Sequence, residues 1–165
     1  MQFVAGLPPA EHALDLGCGD GRLTAKLRAG AVTAADVSTV ALRRAERRVP
    51  EAEIALLTPD APLPFVDGEF ELVLCVETIE HVRDVQLFLS EVRRVLRPGG
   101  GLALTTPAFS RWKALSGGFD ERFDPLSPHL RFFTRRSLAR VLDALGFDVT
   151  SIKRRHGTFL VRATR

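Results

Sequence analysis

No apolar run in this sequence approaches the roughly 20 residues that a helix needs to cross a bilayer, and the chain shows no internal repeat and no linker. Its start, Met1 to Pro9, lacks the basic segment followed by an apolar stretch that marks a secretory signal. Cysteine is scarce, with Cys18 and Cys75 alone. Two thiols make no disulfide framework, and without an export signal they read as free thiols of a cytoplasmic protein with no membrane association. A strong charge of one sign is missing too. The formal net charge is +3, and the arginines cluster at Arg43, Arg44, Arg47 and Arg48, at Arg93, Arg94 and Arg97, and at Arg135 and Arg136. All three groups fall in helix-like segments, where such residues form solvated faces; an RNA footprint is the alternative.

What is present is the composition of an ordinary globular protein, 45% hydrophobic and 26% charged over 165 residues. That length gives one domain, residues 1–165, with one substantial core. Short apolar runs alternate with helix-period segments, the pattern of a mainly parallel sheet covered on both faces. Ala13 to Leu16 reads as the first strand, followed by a glycine turn, Gly17 to Gly21, and a helix from about Arg22 to Arg28 that Gly30 stops. Val32 to Val37 is a second strand. Ser38 caps the next helix, which Pro50 ends. Ile54 to Leu57 and Phe70 to Val76 are the third and fourth strands. Val85, Phe88, Leu89, Val92, Val95 and Leu96 form one apolar stripe at helical spacing. Arg97 to Gly100 reads as a stop and turn before a fifth strand, Leu102 to Thr105. Thr134 caps a last helix ending at Gly146, and Phe147 to Ile152 with Thr158 to Ala163 forms a closing hairpin around His156-Gly157. Between them, Pro107 to Phe133 has no clean period and many aromatics and prolines, as in loops that cover sites.

The strongest chemical signal is Asp15-Leu16-Gly17-Cys18-Gly19-Asp20-Gly21, directly after a strand and before a helix. Glycines are needed where the backbone takes positive φ or approaches a ligand closely. Asp36, at the end of the next strand, can accept bonds from both hydroxyls of a ribose. A dinucleotide fingerprint wants glycine at the sixth position from Gly17, which is Arg22. The Gly-Lys-Ser/Thr of a phosphate-binding P-loop is absent. A nucleoside without phosphate suits this turn better.

On these residues the chain resembles the class I S-adenosylmethionine (SAM)-dependent methyltransferases. The resemblance runs through Leu14 to Gly21, Ala35 to Ser38, Asp60 to Phe65, Phe70 to His81 and Arg94 to Gly100. It implies a Rossmann-like, doubly wound α/β fold: a seven-stranded, mainly parallel sheet with a C-terminal antiparallel hairpin. It also implies that Asp15 and the turn hold the methionine moiety, Asp36 the ribose and Asp60 the adenine amino group, with Ala61 beside the ring. The candidate cofactor-binding set is Asp15, Gly17, Cys18, Gly19, Gly21, Asp36, Val37, Asp60, Ala61 and Glu77. Many relatives carry lid helices before the first strand. Here only Met1 to His12 precede it, so the expectation is an open site, a cover supplied by another chain or by the 107–133 segment, or a fragment of a longer protein.

Glu77, Glu80 and His81 form a second constellation. A helical turn starting there would gather two carboxylates and an imidazole on one face, with His129 returning to the same rim. The pattern resembles that of metal-dependent O-methyltransferases of quinone biosynthesis and of enzymes methylating the 3′-terminal ribose of small RNAs. The resemblance implies a divalent metal such as magnesium on Glu77, Glu80, His81 and His129; the alternative is His81 lining a pocket without metal. His81 is the candidate base and His129 the second, since an imidazole titrates near neutrality. The acceptor read from this is a hydroxyl of a small molecule. RNA ribose, a carbon or nitrogen acceptor, and SAM binding without transfer are the alternatives. His12 and His156 read as ordinary loop residues.

Overall fold

The computed structural model describes residues 2–109 and 130–165. A short helix α1 (Gln2–Ala5) precedes strand β1 (Ala10–Leu16), β2 (Ala29–Asp36), α2 (Thr39–Arg48), β3 (Glu53–Leu56), β4 (Phe70–Val76), α3 (Val85–Val95), β5 (Leu96–Pro107), α4 (Arg135–Ala144), β6 (Asp148–Arg155) and β7 (Thr158–Thr164). The seven strands form one sheet in the order β3-β2-β1-β4-β5-β7-β6. The five on the β3 side are parallel, and β7 runs antiparallel to both β5 and β6. This is the expected doubly wound sheet with its closing hairpin. Successive strands step outward from β1 in one direction and from β4 in the other. The carboxyl ends of β1 and β4 therefore bound the crevice at the switch point, where such sheets hold their ligands.

The sheet is buried on both faces, which explains strands that read as near-continuous apolar runs. On one face the main core packs α3 and α4 against Leu14, Leu16, Val73, Cys75, Leu102 and Leu104. Leu89, Val92 and Val95 of α3 are fully buried there, each contributing about 1.5–3 kcal/mol by burial. Asp84 caps α3, its carboxylate accepting from Leu87 N at 2.9 Å, and Thr134 caps α4 in a capping box with Ser137. On the opposite face Val4 and Leu7 cover Ala13, Leu72, Leu74 and Ala103. A third cluster seats Leu42 and Ala45 of α2 against Ala34 and Cys18. Ser38 is the N-cap of α2, as its sequence position implies.

Four local expectations are corrected. The helix expected at Arg22 to Arg28 is only a single 3₁₀ turn, Thr24–Lys26. Pairing wins over propensity: Ala29 already pairs with Ala10, which leaves too few residues to nucleate a helix. Gly30 consequently lies inside β2 rather than capping a helix. Arg97 to Gly100, expected as a stop and turn ahead of the fifth strand, lies inside β5 as an irregularity, where the register jumps from Phe70↔Leu96 to Leu72↔Gly101. His12 lies in β1, its Nε2 3.0 Å from Thr33 Oγ1. The expectation of a cover over residues 107–133 falls, for residues 110–129, outside the described residues.

Candidate active site

The glycine turn leaves β1 at the switch point and is tied to β2. Gly17 N and Cys18 N both donate to Ala35 O, at 2.8 and 3.0 Å. Gly17 adopts φ +81°, and a Cβ there would stand 2.4 Å from Thr78 Oγ1. No side chain fits. Gly19, at φ +56°, faces open space, with no atom within 4 Å of an added Cβ. Gly21 allows the turn to lie against α2, 3.1 Å from Ala45 Cα by the same measure. Asp20 fastens the turn from outside: Arg22 and Arg48 each stand 3.0 Å from its carboxylate.

A cavity of about 450 Å³ opens beside this turn, within the range of roughly 300–1,000 Å³ usual for small-molecule sites. Gly17, Asp36, Val37, Asp60, Ala61 and Glu77 all line it, so six of the ten expected cofactor residues meet at one cavity. Asp36 is held by backbone donors, Gly19 N at 2.9 Å and Ser38 N at 2.8 Å, one on each carboxylate oxygen. Each oxygen keeps a second lone pair for a ligand. Val37 is half exposed (55%) beside it, an apolar surface for a planar ring. Asp60 takes φ +56° and lies 3.8 Å from Arg83 Nη1.

The other four candidates support the turn and are not part of the cavity lining. Asp15 lies beneath it, 2% exposed, accepting a 2.6 Å bond from Thr24 Oγ1. Burial pushes its carboxyl up to about 6, opposed by the Thr24 bond and assisted by the charge of Asp36. Cys18 is buried, and desolvation, then the charges of Asp15 and Asp36, push its thiol up to about 12. Gly19 and Gly21 act through backbone shape. Sequence reasoning missed Arg94, which lies outside the cavity but holds its wall. Arg94 donates to Leu63 O, Phe65 O, Asp67 and Glu91 at 2.7–2.9 Å. Its bonds to Glu91, then Asp67, raise its pKa. In the sequence it stands on the helix face opposite the apolar stripe, among arginines that read as solvated, and nothing local singles it out.

Glu77, Glu80 and His81 do not share a face. Glu77 sits at φ +51° before the short turn Ile79–His81 begins, so no helical spacing relates it to Glu80. Glu77 Oε1 accepts from Thr105 Oγ1 at 2.8 Å, and Glu80 Oε2 accepts from Thr106 Oγ1 at 3.0 Å. Glu80 is fully buried, its Oε1 without a hydrogen-bond partner among the described residues, and burial raises its pKa. His81 lines the cavity with its Nε2 4.0 Å from Glu80 Oε1. His129 lies outside the described residues. Among the described residues no group of three or more acids, histidines or cysteines could hold a metal ion.

The family model of the methyltransferase domain matches residues 14–104 of the chain. The chain belongs to this family, the class I SAM-dependent methyltransferases. An uncharacterized methyltransferase of Mycobacterium bovis is 40% identical over 98 residues, covering 56% of this chain and 49% of that protein. A demethylmenaquinone methyltransferase of Beutenbergia cavernae is 36% identical over 124 residues, covering 72% of this chain and 51% of that protein. The methyltransferase domain thus spans about half the length of these curated relatives. A crystal structure of a methyltransferase-type protein from Bacillus halodurans superposes with a TM-score of 0.82 at 18% identity, covering 99% of this chain and 96% of that one. That likeness establishes the shared fold. Among the described residues no helix is long and apolar enough to cross a membrane.

Proposed function

We propose that this domain transfers a methyl group from SAM to a small molecule, onto a hydroxyl oxygen. One observation carries the reading: the cavity at the switch point is walled by Gly17, Asp36, Asp60 and Ala61 together. The residues fit the cofactor by their own chemistry. Asp36 retains acceptor capacity for two ribose hydroxyls, and Val37 and Ala61 offer apolar surface to an adenine. When bound, SAM supplies a methyl group on a cationic sulfur, which needs no further electrophilic activation.

The protein's work is alignment, exclusion of water and removal of one proton. Asp36 and Asp60 fix the nucleoside end, and Glu77 places a carboxylate where the cavity continues beyond the turn. His81 is the proposed base for the acceptor hydroxyl, with His129 as the second candidate. The demethylmenaquinone methyltransferase similarity favours a small ring-bearing acceptor over RNA. No step is assigned to a metal ion, because Glu77 and Glu80 bond to adjacent threonines and face apart. A cytoplasmic setting suits a domain whose two thiols are both free and buried.

The test is an acceptor screen with labelled methyl donor, followed by His81→Ala and His129→Ala on the acceptor found. The reading expects at least about a hundredfold loss of kcat in one of them, the usual scale for general-base removal. Full turnover by both variants would point instead to a carbon or nitrogen acceptor. Cofactor binding without transfer to any acceptor would leave a SAM-binding protein.

A further inference from the structure

A second cavity, of about 510 Å³, opens on the far side of Glu77. Among the described residues Glu77 alone lines both cavities. The new one has an apolar floor of Val4, Leu23 and Leu160, and a polar rim of Gln2, Arg155 and His156. These come from three distant parts of the chain: α1, the turn after β1, and the tip of the closing hairpin.

The tip is built in a constrained way. Arg155 pairs with Thr158 across a two-residue turn, and both turn residues have positive φ, +47° at His156 and +84° at Gly157. This is the primed turn that matches strand twist, and asparagine or glycine is the usual first residue. Gly157 O accepts from Ala108 N at 2.7 Å, which fastens the tip to the end of β5. Arg155 Nη1 donates to Gln2 Oε1 at 2.8 Å. That partner is neutral, and among the described residues Arg155 stands in no salt bridge. The rim therefore carries a positive charge not matched by a carboxylate, over an apolar floor, in a space that meets the cofactor cavity at one acid.

We propose that this second cavity receives the methyl acceptor, and that the acceptor is an apolar organic anion whose charged group lies on Arg155. The proposal rests on the methyltransferase reading above and names the substrate class of that site. The apolar body lies on Val4, Leu23 and Leu160. Glu77 lines both cavities, and at this junction the acceptor's reacting end extends past it into the first cavity, which His81 also lines.

The experiment uses 8-anilino-1-naphthalenesulfonate, an apolar anion, and its uncharged counterpart N-phenyl-1-naphthylamine, titrated by fluorescence into the wild-type chain, Arg155→Gln and Gln2→Glu. Arg155 and Gln2 are both exposed, so neither substitution threatens the core. Gln2→Glu sets a carboxylate against the guanidinium and satisfies its charge internally. The expected result is that the anion binds the wild type roughly three- to tenfold more tightly than the neutral dye. Both variants should bring it to the neutral dye's level. SAM, titrated calorimetrically into protein saturated with the anion, should bind undiminished. Equal affinity of the two dyes, indifference of the anion to both variants, or competition with SAM would overturn the proposal. Failure of SAM to bind the dye-free wild type is a separate outcome, which contradicts the methyltransferase reading instead.

Discussion

Glu77 and Glu80 are three residues apart, yet their carboxylates are held by neighbouring hydroxyls of one strand, Thr105 and Thr106. Neighbours on a strand point to opposite faces of the sheet. Leu102 and Leu104 belong to the core under α3 and α4, whereas Ala103 belongs to the core under α1. Thr105 therefore carries Glu77 to the α1 side, and Thr106 carries Glu80 to the other. The expected consequence is that millimolar magnesium or manganese changes SAM affinity less than twofold. A metal-dependent rise of tenfold or more, measured by calorimetry, would contradict this separation of the two acids.

Asp15 gives stability a pH dependence of unusual sign for a carboxylate. Its folded-state pKa of about 6 lies above its ordinary value of 3.8. The folded state therefore binds the proton more tightly than the unfolded state, and this contribution is present at low pH and lost as pH rises from about 4 to 6. Asp15→Asn does not titrate but can still accept from Thr24. Its stability relative to wild type should rise across that window, by at most about 3 kcal/mol. Urea unfolding of both proteins at pH 4, 5, 6 and 7 checks it; a difference that stays flat or falls with pH contradicts it.

Gly17 and Gly19 separate folding from binding. Gly17→Ala meets Thr78 at 2.4 Å and positive φ, so it should destabilise the fold by about 2 kcal/mol or more. Gly19→Ala meets no protein atom and should cost only the conformational strain, about 1–2 kcal/mol. It should nevertheless weaken SAM binding, because relieving the strain at φ +56° shifts the turn whose Gly19 N holds the Asp36 carboxylate. Thermal melts and calorimetry on the pair distinguish the two effects.

Arg94 should behave as a positioning residue. It joins the carbonyls of Leu63 and Phe65 to α3, and the segment it holds continues into Asp60 and Ala61 of the cavity wall. Arg94→Ala is expected to lose about 1–3 kcal/mol of stability, since it strips several charge-assisted bonds from a partly exposed group. SAM affinity should fall with it. Arg94→Lys should not restore that affinity, because a point charge cannot serve two carbonyls and two carboxylates in fixed directions. Full affinity in Arg94→Lys would show that charge alone holds the wall.

The parts of this molecule that were legible in its sequence are those fixed by local chemistry. Apolar runs ending at Leu16, Val37 and Val76, the caps Ser38 and Thr134, and the glycine turn each state their structure to within a few residues. The parts that were not legible depend on distant partners. Thr24 turns from helix toward Asp15, and Ala29 is taken into the sheet by Ala10. Glu77 leaves helical spacing by adopting positive φ, a choice its side chain does not announce. His156 lies in the hairpin turn expected of it, but the cavity it lines exists only once α1 and Leu23 are brought beside it. Arg94 looks like a solvated charge until the chain from Leu63 to Asp67 folds over it.

The most direct measurement is calorimetric titration of SAM into the wild-type chain and into Asp36→Ala. Wild type should bind with one-to-one stoichiometry, and Asp36→Ala at least tenfold more weakly, the scale of losing hydrogen bonds to a charged group. No heat of binding in a folded wild type, or an Asp36→Ala affinity equal to it, would contradict the site described.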